Sequence, residues 1–186
     1  MIVSQDTSPD LETLVGAFYG PLEQLAQFQE VTADDLPAPY RALLDHDQHM
    51  TVTLERFHEC PVQLQLLQRS VADTHYARNT LLRRSTDGKL VQFGIARLAL
   101  TFLPKPVRDE IEQARIPMGR VLITHNVLRR VQLAGLWRLE PTDRLTKIFG
   151  CDEPVPTYGR TALIYCAGEP AVELLEVMPP GLSDVG

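Results

Sequence analysis

Apolar and polar positions alternate most clearly near the end of the chain. Over Tyr158–Pro179, two runs rich in apolar and β-branched residues flank the turn cluster Ala167-Gly168-Glu169-Pro170, a pattern that predicts a β-hairpin. Successive side chains of a strand point to opposite faces. Val172, Leu174, Glu176 and Met178 therefore share one face, and Ala171, Glu173, Leu175 and Val177 share the other. Both faces are largely apolar, as expected of a strand covered on two sides. Burying a lone carboxylate is costly, so Glu176 is paired, protonated or turned towards a polar cavity. At a sheet edge it would simply reach water.

Upstream, alternation predicts strands over 50–57 (MTVTLERF), 61–70, 75–84 and 89–103, with Thr86-Asp87-Gly88-Lys89 as a hairpin turn between the last two. A further strand is expected over Val127–Leu139, and 141–156 is the longest irregular stretch. Helical spacing marks Asp10–Val31 through Leu11, Leu14, Val15, Phe18, Leu22, Leu25 and Phe28, with Ser8 or Asp10 as N-cap and a break at Gly20-Pro21. Shorter helices are expected over Tyr40–Leu44, Pro104–Ala114 and Gly119–Thr124, and residues 1–9 form a polar tail. Strands joined by short turns pair antiparallel. The expected fold class is α+β: one domain over 1–186, with a helical region over 1–45 and a sheet core with an internal pocket over 46–180, the sheet having about six strands and carrying packed helices.

Composition narrows this picture. A chain of 186 residues suffices for one domain with a full core. There is no run of about 18 apolar residues, and MIVSQDTSPDLETL has neither the basic start nor the apolar centre of a secretory signal. Cys60, Cys151 and Cys166 are odd in number and lack CxxC spacing, so they are read as reduced thiols in a cytoplasmic protein with no membrane partner. The net charge of −6 argues against a nucleic-acid partner. Of the 18 basic residues fifteen are Arg, whose planar fork matches carboxylates.

The candidate chemistry is sparse. Arg78 shares a strand face with Tyr76, Thr80 and Leu82; an exposed Arg is the ordinary alternative, but an inward one would bind a carboxylate bidentately. Asp45-His46-Asp47-Gln48-His49 and Phe57-His58-Glu59-Cys60 hold ligand-type residues without zinc-site or HExxH spacing, and His75 and His125 stand alone, so no metal is assigned. A phosphate loop, a GxSxG elbow and a dinucleotide fingerprint are all absent, so no cofactor is expected. Gly119-Arg120, at a presumed helix start, offers only a weak anion signal.

Four segments together resemble the chorismate pyruvate-lyases (4-hydroxybenzoate synthases). They are Asp47-Gln48-His49-Met50-Thr51 with Leu54-Glu55; Tyr76-Ala77-Arg78-Asn79-Thr80-Leu81-Leu82; Ile116-Pro117-Met118-Gly119-Arg120-Val121-Leu122; and Tyr158-Gly159-Arg160 with Gly168-Glu169-Pro170 and Glu176. Order and spacing agree from about residue 45 to 180. The resemblance implies a six-stranded antiparallel sheet around a lidded aromatic-acid pocket. It also implies cofactor-free conversion of chorismate to 4-hydroxybenzoate and pyruvate. Arg78 and Glu176 would then be catalytic: Arg78 would hold the ring carboxylate, and Glu176 would lie near the C4 hydroxyl. Met50, Met118 and Gly119 would line the substrate site. Met118 stands where the best-known members have Leu, and the strand from Pro170 to Glu176 is one residue longer than in some members. The arginine for the second carboxylate is left open among Arg160, Arg129 and Arg130.

The leading expectation is therefore a lyase, as a monomer or small homo-oligomer. The alternatives are a related enzyme making another aromatic acid, or a non-catalytic sensor of the same fold. Such sensors usually follow a basic DNA-binding domain; residues 1–45 hold one basic residue, Arg41, which weighs against the sensor.

Overall fold

The computed structural model describes residues 8–72, 74–127 and 129–182, so most of the polar tail lies outside the described residues. The chain forms α1 (Leu11–Gly16), β1 (Ala26–Val31), α2 (Ala38–Leu44), α3 (Met50–His58), β2 (Val62–Val71), β3 (His75–Arg84), β4 (Leu90–Ala99), α4 (Lys105–Gln113), α5 (Met118–Thr124), β5 (Arg129–Pro141), α6 (Asp143–Phe149), β6 (Thr157–Cys166) and β7 (Glu169–Val177). The seven strands make one antiparallel sheet in the order β1-β5-β6-β7-β4-β3-β2. The α+β class and antiparallel sheet stand as expected, with seven strands where about six were expected.

The sheet buries both faces. On one, Leu14 and Val15 of α1 and Leu145 of α6 pack on Leu81, Phe93, Ile95, Leu175 and Val177. On the other, α4 and α5 cover Tyr76, Leu98, Val172 and Leu174, while α2 and α3 cover Leu82, Leu136 and Met178. Leu174 and Met178 thus lie opposite Leu175 and Val177, as strand periodicity dictates.

The β6–β7 hairpin turns through Ala167 (φ 53°) and Gly168 (φ 90°), two successive left-handed residues that match the twist of a tight hairpin. Ile164 pairs with Val172 and Tyr165 with Pro170, leaving Ala171 without a partner in β6. This bulge absorbs the extra residue in β7, and Glu176 sits opposite Arg160. At Gly159 the strands approach so closely that a Cβ would lie 2.7 Å from the Glu176 backbone oxygen.

Three local expectations are corrected. MTVTLERF is helix, not strand. Its apolar residues fit both periods, but Met50 and Leu54, four apart, are the ones buried, and α2, β2 and α5 supply the neighbours that a helix needs. Asp10–Val31 is a short helix followed by a strand. Gly20 at φ 79° with Pro21 ends the helical path, and Ala26–Val31 then pairs with β5, Phe28 meeting Trp137 edge-on. That strand lies inside the stretch read as helical and supplies the seventh strand of the sheet. Within 141–156, Asp143–Phe149 is helical, from Thr142 as N-cap to the left-handed Gly150.

Candidate functional site

The cavity lies between the sheet face formed by β3, β4, β6 and β7 and the N-terminal turns of α3 and α5. Arg78, Glu176, Met50, Met118 and Gly119, the five residues singled out from sequence, all line it. Residues 50 and 176 are 126 positions apart in the chain; it is the packing of α3 and α5 on the sheet that brings these five together. Gly119 has no side chain where one would meet Thr51 Oγ1 at 3.2 Å and His49 Nδ1 at 3.4 Å, which lets the two helix starts close the cavity. Arg120 turns away and pairs with Glu55.

Arg78 projects from β3 and is 3 % exposed. Its Nη1 donates to the Ile111 carbonyl at 3.3 Å, and among the described residues no carboxylate lies within 4 Å of it. Burial pushes its pKa below the usual guanidinium value, with the neighbouring Tyr76 hydroxyl opposing the shift. The Tyr76 hydroxyl lies beside this guanidinium and has no other hydrogen-bond partner among the described residues. A buried guanidinium without a carboxylate carries a desolvation cost that no ion pair among the described residues offsets.

Glu176 is also buried, and its carboxylate is already engaged. Arg160 Nε donates to Glu176 Oε2 at 2.7 Å, and Arg160 is fully buried. The rest of the Arg160 guanidinium donates to the carbonyls of His46 at 2.7 Å, Gln48 at 3.2 Å and Leu44 at 3.5 Å. The pair therefore ties β6 and β7 to the α2–α3 junction. Of the three arginines left open from sequence, Arg160 is the one in the cavity wall, and it serves Glu176; Arg129 and Arg130 lie outside that wall. Gln92 of β4 also lines the cavity; it is 5 % exposed, and its Oε1 has no partner among the described residues. Sequence gave no pointer to it beyond a polar residue within an apolar strand.

His49 closes the cavity at the start of α3. Its Nε2 accepts from Arg129 Nε at 2.7 Å, which places the ring proton on Nδ1. Burial first, and then the Arg129 charge, pull its pKa down to about 4. With neutral His49, the charged groups lining the cavity are Arg78, Arg160 and Glu176, one net positive charge. A histidine with a depressed folded-state pKa contributes stability in full above its unfolded value near 6.5 and loses it as pH falls towards 4. Acidification from pH 7 to 5 is expected to lower the melting temperature by several degrees. His46, also shifted down by burial and Arg160, contributes in the same sense. The His49→Gln variant should show a shallower slope in melts across this range; an unchanged slope would refute the assignment.

Among the described residues no group of three or more His, Cys, Asp or Glu side chains could hold a metal ion, and no helix is long and apolar enough to cross a membrane. No family model matches the chain, and no curated protein does. Solved structures do share its fold. PhnF from Mycobacterium smegmatis is similar over 75 % of this chain and 69 % of its own, at 12 % identity and a TM-score of 0.56. The effector domain of the same protein covers 71 % of this chain and 88 % of its own, at 13 % identity and a TM-score of 0.54. A GntR-family transcriptional regulator from Bacillus cereus covers 67 % of this chain and 98 % of its own, at 10 % identity and a TM-score of 0.45. These findings correct the lyase assignment, and with it the carbon–oxygen lyase activity and the chorismate-to-4-hydroxybenzoate reaction. The fold matches that of an effector domain, and the carboxylate expected to serve the reaction is bound to Arg160. The charge argument against a nucleic-acid partner speaks only for the residues of this sequence. What PhnF and its effector domain share with this chain is the chorismate lyase-like fold.

Proposed function

We propose that this chain is a small-molecule-sensing domain that holds a small carboxylic acid in the cavity, with the ligand carboxylate on Arg78. The observation that carries the reading is a guanidinium 3 % exposed, facing a cavity, with no carboxylate partner among the described residues. A ligand carboxylate would supply the missing charge through paired N–H···O bonds. The walls suit an apolar body: Ala96, Val131, Ile164 and Leu174 face the cavity, and Met50 and Met118 adapt their shape to what enters. Gln92 Oε1 would accept from a donor on the ligand. Glu176 would lie beside the ligand while remaining paired with Arg160. The effector domain of PhnF, with the same fold, supports a binding rather than a catalytic use.

The test is calorimetric titration with 4-hydroxybenzoate, benzoate and the neutral isostere benzamide. The two acids are expected to bind, and benzamide to bind at least about 100-fold more weakly, since a buried cation discriminates charge strongly. Equal binding of acid and amide, or no binding of either, would refute the reading. Chorismate incubated with the protein is expected to release no pyruvate.

A further inference from the structure

The C-terminal end of α4 rests on two arginines of the sheet. Arg78 of β3 and Arg69 of β2 are paired across the two strands, so their side chains share a face. Arg78 Nη1 donates to the Ile111 carbonyl at 3.3 Å, and Arg69 Nη1 donates to the Glu112 carbonyl at 3.5 Å. Both carbonyls belong to the last turn of α4, which ends at the left-handed Ala114 (φ 49°). The last carbonyls of a helix lack partners within it and form the negative end of its dipole, which favours cations. Like charges placed opposite each other in a sheet repel. Among the described residues neither arginine has a carboxylate within 4 Å, so the end of α4 is what offsets the two charges.

Arg78 also faces the cavity, so one guanidinium serves both the helix and the ligand site. The Ile111 carbonyl holds it weakly: the bond is long, and the same oxygen already accepts from the Ala114 N–H at 3.1 Å. A ligand carboxylate is a charged acceptor that forms shorter, stronger and paired bonds to a guanidinium. No residue of α4 lines the cavity, whereas Pro117, Met118 and Gly119, just beyond its end, do. We propose that ligand binding draws Arg78 away from the C-terminal turn of α4, so that this turn loosens when the cavity fills and reports its occupancy to the surface. The inference rests on the sensing role proposed above and adds the element through which occupancy is felt. Coupling of this kind is reciprocal: a change that weakens the hold of α4 on Arg78 strengthens ligand binding.

Hydrogen exchange read by mass spectrometry, with 4-hydroxybenzoate as the probe, tests this. Amides of residues 111–116 are expected to exchange about two- to fivefold faster with the acid bound, the range set by one cation at a helix C-terminus, while β3, β4 and β7 exchange no faster. In Arg78→Met without ligand the same segment should already exchange at the faster rate, and acid at a concentration that saturates the unaltered protein should add nothing. Such a local opening lies well below global unfolding, so melts do not register it. Val107 packs α4 onto Tyr76 and Leu98 and lies outside the cavity. Calorimetry on Val107→Ala should therefore show the acid binding about two- to fivefold more tightly. Unchanged or slower exchange at 111–116 on binding, or weaker binding by Val107→Ala, would overturn the coupling and leave the cavity reading standing. If the acid does not bind the unaltered protein, the cavity reading fails and the coupling with it.

Discussion

Arg78→Met is expected to lose affinity for a carboxylate ligand by about 100-fold or more while the ligand-free protein becomes no less stable. Most binding-site substitutions do not combine these two effects. The affinity loss follows from removing one member of a buried, hydrogen-bonded charge pair, which costs about 2–5 kcal/mol, and each 1.4 kcal/mol is a factor of about ten. The stability change has the opposite sign. In the free protein the guanidinium is 3 % exposed and bonded to one carbonyl, that of Ile111, so it carries a desolvation cost without an ion pair to offset it. Met fills a similar volume with an apolar stem and leaves only the Ile111 carbonyl to find another donor. Thermal melts without ligand should therefore be unchanged or higher, and titration with 4-hydroxybenzoate should show the loss. A variant that melts several degrees lower would mean that Arg78 is a structural cation with a partner in the protein. Full affinity in the variant would remove it from the site altogether.

How much of this site was legible in the sequence depends on the range of each signal. Glu176 came from strand alternation alone, because β7 is buried on both faces and a single acid interrupts one of them. In β3 the same period put Arg78 on a face with Tyr76, Thr80 and Leu82 but left an exposed Arg as the ordinary reading, and the family-like segment singled it out. Met50, Met118 and Gly119 came from the family-like segments; periodicity placed Met50 in a strand, whereas it starts a helix. The misreading has a physical origin. The β-branched Thr51, Val52 and Thr53 give the segment a strand's composition, and only the packing of α2, β2 and α5 around it selects the helical spacing. β1 was hidden because Leu22, Leu25 and Phe28 continue the helical stripe past Pro21, although Gly20-Pro21 marks where the path turns.

Partners across the fold were beyond reach. The Arg160–Glu176 pairing depends on a two-residue turn and a bulge at Ala171, and a slip of one residue would send Arg160 to the other face. The choice between lyase and sensor was not legible for a different reason. The segments resembling the lyases describe a pocket for an acid, and one fold serves both catalysis and sensing. Arg78 would look the same in either.

Glu176→Leu is expected to cost about 3–5 kcal/mol of stability, because it leaves the Arg160 cation buried with only carbonyls and an imidazole around it. Arg160 is fully buried, so water cannot take over from the carboxylate. For a domain of this size that loss corresponds to a fall in melting temperature of roughly 6–20 °C, a large share of a typical total of about 5–15 kcal/mol. Arg160→Met/Glu176→Leu should recover much of it, since removing both members of a buried pair deletes the uncompensated charge. Recovery should fall short of complete. Arg160 also donates to the carbonyls of His46, Gln48 and Leu44, and those acceptors at the α2–α3 junction lose their donor in the double variant. The junction carries His49 to the wall of the cavity, so the single variant should also weaken ligand binding by loosening that wall. The double-mutant cycle separates two roles for Glu176. If its first task is to hold Arg160, the single variant destabilises strongly and the double one far less. If it is instead a free carboxylate kept for the ligand, Glu176→Leu would leave the melting temperature near its original value and lower affinity alone, and the pair would show no coupling.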